Sequence, residues 1–96
     1  MGRRDLLDEA AIEAALRDVE WARDGQSLVK RITRADFRDA IAFVNRVAEI
    51  AEAMDHHPDI DIRWRTVTLR ASTHSAGGLT EMDFAFARAV DALGES

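Results

Sequence analysis

The chain contains no cysteine, and this absence removes two ways of reinforcing a small fold. Without thiols it can form neither disulfide bonds nor thiolate metal sites. A core built from 96 residues contributes only modest net stability by itself. Association with further copies of the chain is the remaining source of stability, so we expect an oligomer.

Long apolar runs are also missing. The basic start Arg3-Arg4 is followed at once by Asp5, Asp8 and Glu9, which leaves no apolar segment of the kind a secretory leader needs. Later apolar stretches are too short and too interrupted to span a bilayer. We therefore expect a cytoplasmic protein with no membrane partner.

An excess of positive charge is lacking as well, because the net charge is −5. Binding to a phosphate backbone takes clustered Lys and Arg, whereas the arginines here are scattered among acids. No nucleic-acid partner is expected. An apolar fraction of 47% with 32% charged residues is ordinary for a globular protein, and the length fits one domain over residues 1–96.

The first half of the chain predicts a helix, a hairpin and a second helix. Apolar residues recur at helical spacing over residues 6–19, with Asp8 as the cap. Asp24-Gly25 lies between two short runs in residues 21–33, which is typical of a hairpin with a tight turn. A long helix follows and ends near residues 55–57, because Pro58 disfavours helical geometry in the residue before it.

The second half predicts two strands and a closing helix. Apolar and polar residues alternate with period two over residues 60–71, which indicates two strands with one buried face each. Trp64 continues the apolar face of Ile60 and Ile62, so we expect it in the core. A Gly-rich loop precedes the last helix. The fold class is α+β, with the element order αββαββα.

Two helices begin with the same local signal, a Thr-x-x-acid capping box. The boxes are Thr33-Arg34-Ala35-Asp36 and Thr80-Glu81-Met82-Asp83. In each case the preceding residue can pack on the fourth helical one, Ile32 on Phe37 and Leu79 on Phe84. The long helix carries two neighbouring apolar stripes, one through Phe37 and Val44 and the other through Phe43 and Val47, wide enough to cover a sheet and meet a second subunit.

The three histidines lie within 19 positions, His56 and His57 at a helix end and His74 where a strand meets the Gly-rich loop. Imidazole titrates near neutrality, and a helix C-terminus favours its protonated form, which suits a proton donor. Two other interpretations stay open at this point. The histidines can simply complement the helix dipole and cap a strand, or three imidazoles can bind a catalytic zinc ion.

Two acids accompany the histidines. Glu52 precedes His56 by one helical turn, so the two can hydrogen-bond and orient the imidazole, or form no more than a solvated ion pair. Asp83 belongs to the second capping box, and a cap beside the Gly-rich loop can also serve catalysis.

Read in order, these residues form one spaced pattern, Glu52-x3-His56-His57-Pro58-x5-Trp64-x9-His74-x8-Asp83. The pattern resembles the signature of the pterin-4a-carbinolamine dehydratase family. The similarity extends upstream through Trp21 and Phe37 and so covers nearly the whole chain.

The resemblance implies a four-stranded antiparallel sheet with helices packed on one face, associating as a homodimer or homotetramer. It also implies a hydro-lyase that removes water from 4a-hydroxytetrahydropterin to give quinonoid dihydropterin, in tetrahydropterin recycling, without metal or other cofactor. By match to the family, His56 and His74 would transfer protons, and His57 would chiefly contact the pterin with a possible part in catalysis. The substrate-binding residues it implies are Glu52, Pro58, Thr73, Ser75, Ala76 and Asp83.

One position departs from the family, and two other functions stay open. Many relatives have an aromatic residue where this chain has Ile60, which puts the preferred pterin in doubt more than the reaction. Some members of the family act as dimerisation cofactors of a transcription factor, so a non-catalytic binding module is the first alternative. A dehydratase-like protein acting in another pterin pathway is the second.

Overall fold

A computed structural model describes residues 5–94 of the chain. Three helices and four strands occur in it, in the expected order αββαββα, so the α+β class is confirmed. No helix of the described residues is both long and apolar enough to cross a membrane. The elements are α1 (Glu9–Leu16), β1 (Ala22–Asp24), β2 (Ser27–Thr33), α2 (Phe37–Met54), β3 (Asp59–Arg63), β4 (Thr66–Ala71) and α3 (Glu81–Asp91).

The four strands form one antiparallel sheet in the order β1-β2-β4-β3. The central strands β2 and β4 pair over six residues, from Leu28↔Ala71 to Thr33↔Thr66. Because side chains alternate along a strand, one sheet face carries the buried residues and the other is polar. The buried face packs against the helices, as the resemblance implied; its members are Leu28, Lys30, Ile32, Val67, Leu69 and Ala71.

Helix α2 packs on the sheet through one of its two apolar stripes, that of Ala40, Phe43, Val47 and Ala51. It begins three residues later than its Thr-x-x-acid sequence suggested, and the cap is Asp36, whose carboxylate accepts from the Asp39 backbone N–H. The prediction of a capping box at Thr33 is therefore wrong.

The reason for the late start of α2 is that Thr33 stays in the sheet. It pairs with Thr66, and the next backbone N–H, that of Arg34, donates to the Arg65 carbonyl at 2.8 Å. Phe37, which was expected to pack on Ile32, is 52% exposed and is not part of the buried core.

Trp64 lies outside the core, which corrects the expectation from its alternation. Strand β3 ends at Arg63, and Trp64 starts the two-residue turn into Thr66 with a left-handed φ of 56°. The alternation stops at the turn, so the indole is 69% exposed, with the Arg65 guanidinium 4.7 Å from its ring centroid. A bulky residue with positive φ is an uncommon and strained choice.

The last turn of α3 is tied to the sheet by a buried ion pair. Lys30 points from β2 into the core, where its side chain is 6% exposed, and its ammonium donates to Asp91 at 2.7 Å. The same carboxylate accepts from the Trp21 indole N–H at 3.0 Å and the Glu20 backbone N–H at 2.8 Å. Asp91 thus joins α3 to β2 and to the segment before β1.

Replacing Asp91 with Ala is expected to lower the free energy of unfolding by about 3 kcal/mol, because the buried Lys30 ammonium loses its closest carboxylate. Urea unfolding followed by circular dichroism measures the change. Asp18→Ala, which removes an exposed acid, is the matched control and should stay within about 0.5 kcal/mol of the parent chain. Equal losses in the two variants would contradict the buried pair's role.

Acid should weaken the start of α2 through Asp39. The Ala35 backbone N–H, and next the Arg34 guanidinium, hold the pKa of this carboxyl below its usual range. Because the folded pKa is the lower one, the stabilisation is present above the ordinary Asp pKa of about 3.9 and is lost as pH falls through the folded value. Asp39→Asn should therefore be less stable than the parent near neutral pH, and the gap should close in acid. Urea titrations of both proteins at neutral pH and in acid test this. A difference in the free energy of unfolding that does not change with pH would contradict it.

Candidate active site

The end of α2 fixes the backbone of the first two histidines. Asp55 caps the helix in the left-handed conformation with a φ of 51°, which Asp tolerates better than most residues. The His56 N–H then reaches back to the Ala51 carbonyl at 3.0 Å, a helix ending in which the chain reverses direction. The helix end expected before Pro58 is confirmed. His56 is buried, with 6% exposure, whereas His57 is exposed.

His56 is bonded to Asp83, at the start of α3. Its Nε2 lies 2.6 Å from Asp83 Oδ1, and the carboxylate is fully buried. The expected bond between Glu52 and His56 is wrong, because the chain turns at Asp55 and carries the His56 ring into the interior. The His56 ring also packs edge-to-face with the Phe86 ring, and the two ring centroids are 6.2 Å apart.

The other oxygen of Asp83 completes the capping box of α3. Asp83 Oδ2 accepts from the Thr80 backbone N–H at 2.9 Å and from the Thr73 hydroxyl at 2.8 Å. Thr80 is the helix cap, as expected from the sequence. The sequence left Asp83 as either a cap or a catalytic group, and in the structure Oδ2 completes the cap while Oδ1 is bonded to His56.

Glu52 contacts His57 rather than His56. Glu52 Oε2 lies 2.7 Å from His57 Nε2, and the two side chains are 77% and 54% exposed. A pair this open to water contributes little to stability, so it orients His57 only weakly.

The loop between β4 and α3 places the third histidine. Thr73 closes the loop on itself, donating its N–H to the Gly78 carbonyl at 3.0 Å and accepting from the Gly77 N–H at 3.0 Å. Gly77 has a φ of 81°, which favours glycine. His74 follows Thr73 directly and is exposed.

All three histidines line one pocket of about 240 Å³. Of the six predicted substrate-binding residues, Thr73 and Ser75 line it, while Glu52, Pro58, Ala76 and Asp83 do not form its wall. Sequence reasoning missed two lining residues, Asp55 and Ser72, and the only signal for them was their position beside His56 and Thr73. The full wall is Asp55, His56, His57, Ser72, Thr73, His74 and Ser75.

A larger open depression of about 690 Å³ lies on the helix-free face of the sheet. It contains no histidine, and its opposite charges Asp61 and Arg63 pair with each other at 3.2 Å. Threonines make up half of its wall. Its side chains offer no proton-transfer group near neutrality, so the smaller pocket is the candidate active site.

Two of the three imidazoles that a zinc site would use are bonded to different partners. Within residues 5–94 no three His, Cys, Asp or Glu side chains are grouped so that they could hold a metal ion. His56 and His57 bind different carboxylates, Asp83 of α3 and Glu52 of α2 respectively.

Comparison with known sequences gives consistent relatives. A protein of Nocardia farcinica is 52% identical over 90 residues, covering 93% of this chain and 95% of the relative. One from Roseiflexus castenholzii is 53% identical over 89 residues, covering 92% and 96%. Both carry the provisional name pterin-4-alpha-carbinolamine dehydratase.

Two solved structures share the fold. A transcriptional coactivator/pterin dehydratase from Brucella melitensis has a TM-score of 0.88 at 30% identity, covering 93% of this chain and 98% of the other. A pterin dehydratase-like protein described as a RuBisCO assembly factor in the alpha-carboxysome has a TM-score of 0.63 at 28% identity, covering 81% and 92%. The sequence profile of the family described as pterin 4 alpha carbinolamine dehydratase matches residues 5–93. The chain therefore belongs to the pterin 4 alpha carbinolamine dehydratase family.

Proposed function

We propose that the protein is a hydro-lyase that converts 4a-hydroxytetrahydropterin to quinonoid dihydropterin and water, in support of tetrahydropterin recycling. The observation that carries this proposal is that three histidines line one pocket, with a buried carboxylate behind one of them. The names of the relatives support the same reaction.

The reaction asks for two proton transfers and no electron transfer. The bond between C4a and its hydroxyl oxygen breaks, and an acid must protonate the departing oxygen so that it leaves as water. A base must take the proton of a ring N–H, whose electrons form the new double bond. Imidazoles titrate near neutrality, so each can serve as acid or base at physiological pH.

His56 and His74 are the residues we assign to the two proton transfers. His56 is held on a short bond to a buried partner, which fixes the direction of its ring. His74 lies across the pocket wall on the loop after β4 and is exposed, so it can exchange protons with water between turnovers. Which of the two is the acid stays open.

His57 is assigned chiefly to substrate contact. It lines the pocket, but its carboxylate partner Glu52 is open to water, so its ring is free to adapt to a ligand. Ser75 is a second wall residue. Pro58 directly follows His57 in the sequence, and Ala76 directly follows Ser75. The pocket is smaller than the roughly 300–1,000 Å³ of sites that enclose a drug-sized ligand. It therefore suits the pterin ring, with the substituent left in water.

The non-catalytic alternative rests on the structural neighbours. One is described as a transcriptional coactivator and another as a RuBisCO assembly factor, so the fold can carry protein-binding roles. The enzyme assignment is preferred because this chain has all three histidines in one pocket. Self-association as a homodimer or homotetramer, a cytoplasmic location and the absence of a nucleic-acid partner stay predictions.

The purified protein should accelerate dehydration of synthetic 4a-hydroxytetrahydropterin in a stopped-flow assay. His56→Ala and His74→Ala should each lower kcat by about 10²–10⁴-fold, because each removes a proton-transfer group. His57→Ala should act mainly on KM. Arg31→Ala, on the helix-free sheet face, is the matched control and should leave both constants unchanged. No acceleration over buffer by folded protein would overturn the enzyme assignment and favour the binding module.

Asp83 and Glu52 are bonded to histidines at nearly equal distances, but they should differ sharply in their effect on catalysis. Asp83→Asn should lower kcat by about 100-fold, because the amide can donate to His56 Nε2 and so reverses the polarity of a buried bond. Glu52→Gln should change kcat/KM by no more than about twofold, since its bond to His57 is exposed. Steady-state kinetics on both variants tests this contrast, and similar losses in the two would refute it.

A further inference from the structure

We propose that Thr80 is a positioning residue for the dehydration, although it lies outside the pocket wall. Its hydroxyl acts through Thr73 and Asp83 to determine which nitrogen of His56 carries a proton. The inference rests on the proposed function, because it matters for catalysis only if His56 transfers a proton. The three hydroxyl and carboxylate groups are buried, so water does not replace any link between them.

The direction of each hydrogen bond follows from the number of protons available. A threonine hydroxyl has one proton, and that of Thr73 is donated to Asp83 Oδ2 at 2.8 Å. The 2.7 Å contact between the Thr73 and Thr80 hydroxyl oxygens must then use the proton of Thr80. Thr80 Oγ1 itself accepts from the backbone N–H groups of Met82 and Asp83 in the capping box. The chain of bonds therefore runs one way, from Thr80 to Thr73 to Asp83.

Asp83, the last group in this series of hydrogen bonds, sets the tautomer of His56. Asp83 Oδ2 accepts from Thr73 and from the Thr80 backbone N–H, so the carboxylate is an acceptor on this side. The two donors on Oδ2 stabilise the ionised carboxylate, which is an acceptor only, and in that state His56 Nε2 is the donor of the 2.6 Å bond at Oδ1. Nδ1 is then the nitrogen left to exchange a proton in the pocket.

Thr73 is part of the same series of hydrogen bonds, although it lines the pocket. Its hydroxyl is committed to Asp83 and Thr80, its N–H to the Gly78 carbonyl, and its carbonyl to the N–H of Gly77. Each of its polar groups therefore has a partner inside the protein. The structure assigns Thr73 to the positioning of Asp83 rather than to hydrogen bonding with the pterin.

Removal of the Thr80 hydroxyl should loosen the carboxylate. In Thr80→Val the Thr73 hydroxyl loses the donor that polarises it, so its bond to Asp83 Oδ2 weakens and the ionised carboxylate is less well stabilised. A proton on Asp83 Oδ1 would reverse the bond to His56, so the second tautomer becomes accessible. We expect kcat to fall about tenfold with KM nearly unchanged, and the pH profile of kcat to shift. Thr80→Ser keeps the hydroxyl and should restore activity to within about twofold of the parent.

The loss of a helix cap must be separated from the loss of the hydroxyl chain, because Thr80 also caps α3. Asp36→Ala removes the cap of α2 and serves as the matched control, with lower stability and unchanged kcat. A double-mutant cycle separates the loss of the cap from the loss of the hydroxyl chain in a second way. If Thr80 acts through Thr73, then Thr73→Val with Thr80→Val should lower kcat no further than Thr73→Val alone.

A spectroscopic measurement tests the proposal without turnover. Long-range proton–nitrogen correlation spectra of the imidazoles, taken where the rings are neutral, distinguish the two tautomers, and His56→Gln identifies the His56 signals among the three histidines. The parent chain should show His56 with its proton on Nε2. Thr80→Val, or Thr73→Val if the former does not fold, should show a mixture, and Thr80→Ser should resemble the parent.

The outcomes are distinct from those of the proposed function. An Nδ1–H tautomer in the parent chain would overturn the proposal, and so would unchanged tautomer and kcat in a folded Thr80→Val. Additive losses of kcat in the double variant would likewise overturn it and leave Thr80 as a cap. If the protein fails to dehydrate the pterin while His56 shows the expected tautomers, the hydroxyl chain stands and the assigned reaction fails.

Discussion

The burial of the Asp83 carboxylate is the constraint on which the site depends. A charged group removed from water is costly unless donors surround it, and here the donors come from three separate places in the chain. His56 follows α2, Thr73 follows β4, and the Thr80 N–H begins α3. Each of these segments must arrive in place for the carboxylate to be satisfied. The folding of this corner and the assembly of the site are therefore one event.

The same constraint divides the pocket into a rigid and an adaptable side. His56 is held by a buried bond at an ordered helix end. His57 and His74 are exposed; within the described residues the His57 ring has only a solvent-exposed bond to Glu52, and no hydrogen bond holds the His74 ring. Precise proton transfer benefits from a fixed ring, whereas substrate entry benefits from side chains that can move. Under the proposed function, the geometry separates these two needs among residues that look equivalent in the sequence.

Local signals in the sequence were reliable only where no contact across the fold overrode them. The capping box at Thr80 and the end of α2 before Pro58 depend on neighbours within a few residues, and both were predicted. The similar box at Thr33 was wrong, because pairing with Thr66 keeps that residue in the sheet. Family resemblance pointed to the three histidines that line the pocket, but the partner of His56 could not be predicted in this way. Helical spacing suggested Glu52, and only the chain reversal at Asp55 turns the ring towards Asp83.

Asp83 shows why a structural and a functional interpretation of one residue need not compete. A carboxylate has two oxygens, and the capping box uses only Oδ2. The remaining oxygen would be buried without a partner at the start of α3, an arrangement that costs free energy unless a donor is supplied. His56 Nε2 is that donor. The cap therefore creates the requirement that the imidazole meets, and the helix start and the proposed acid-base site stabilise each other.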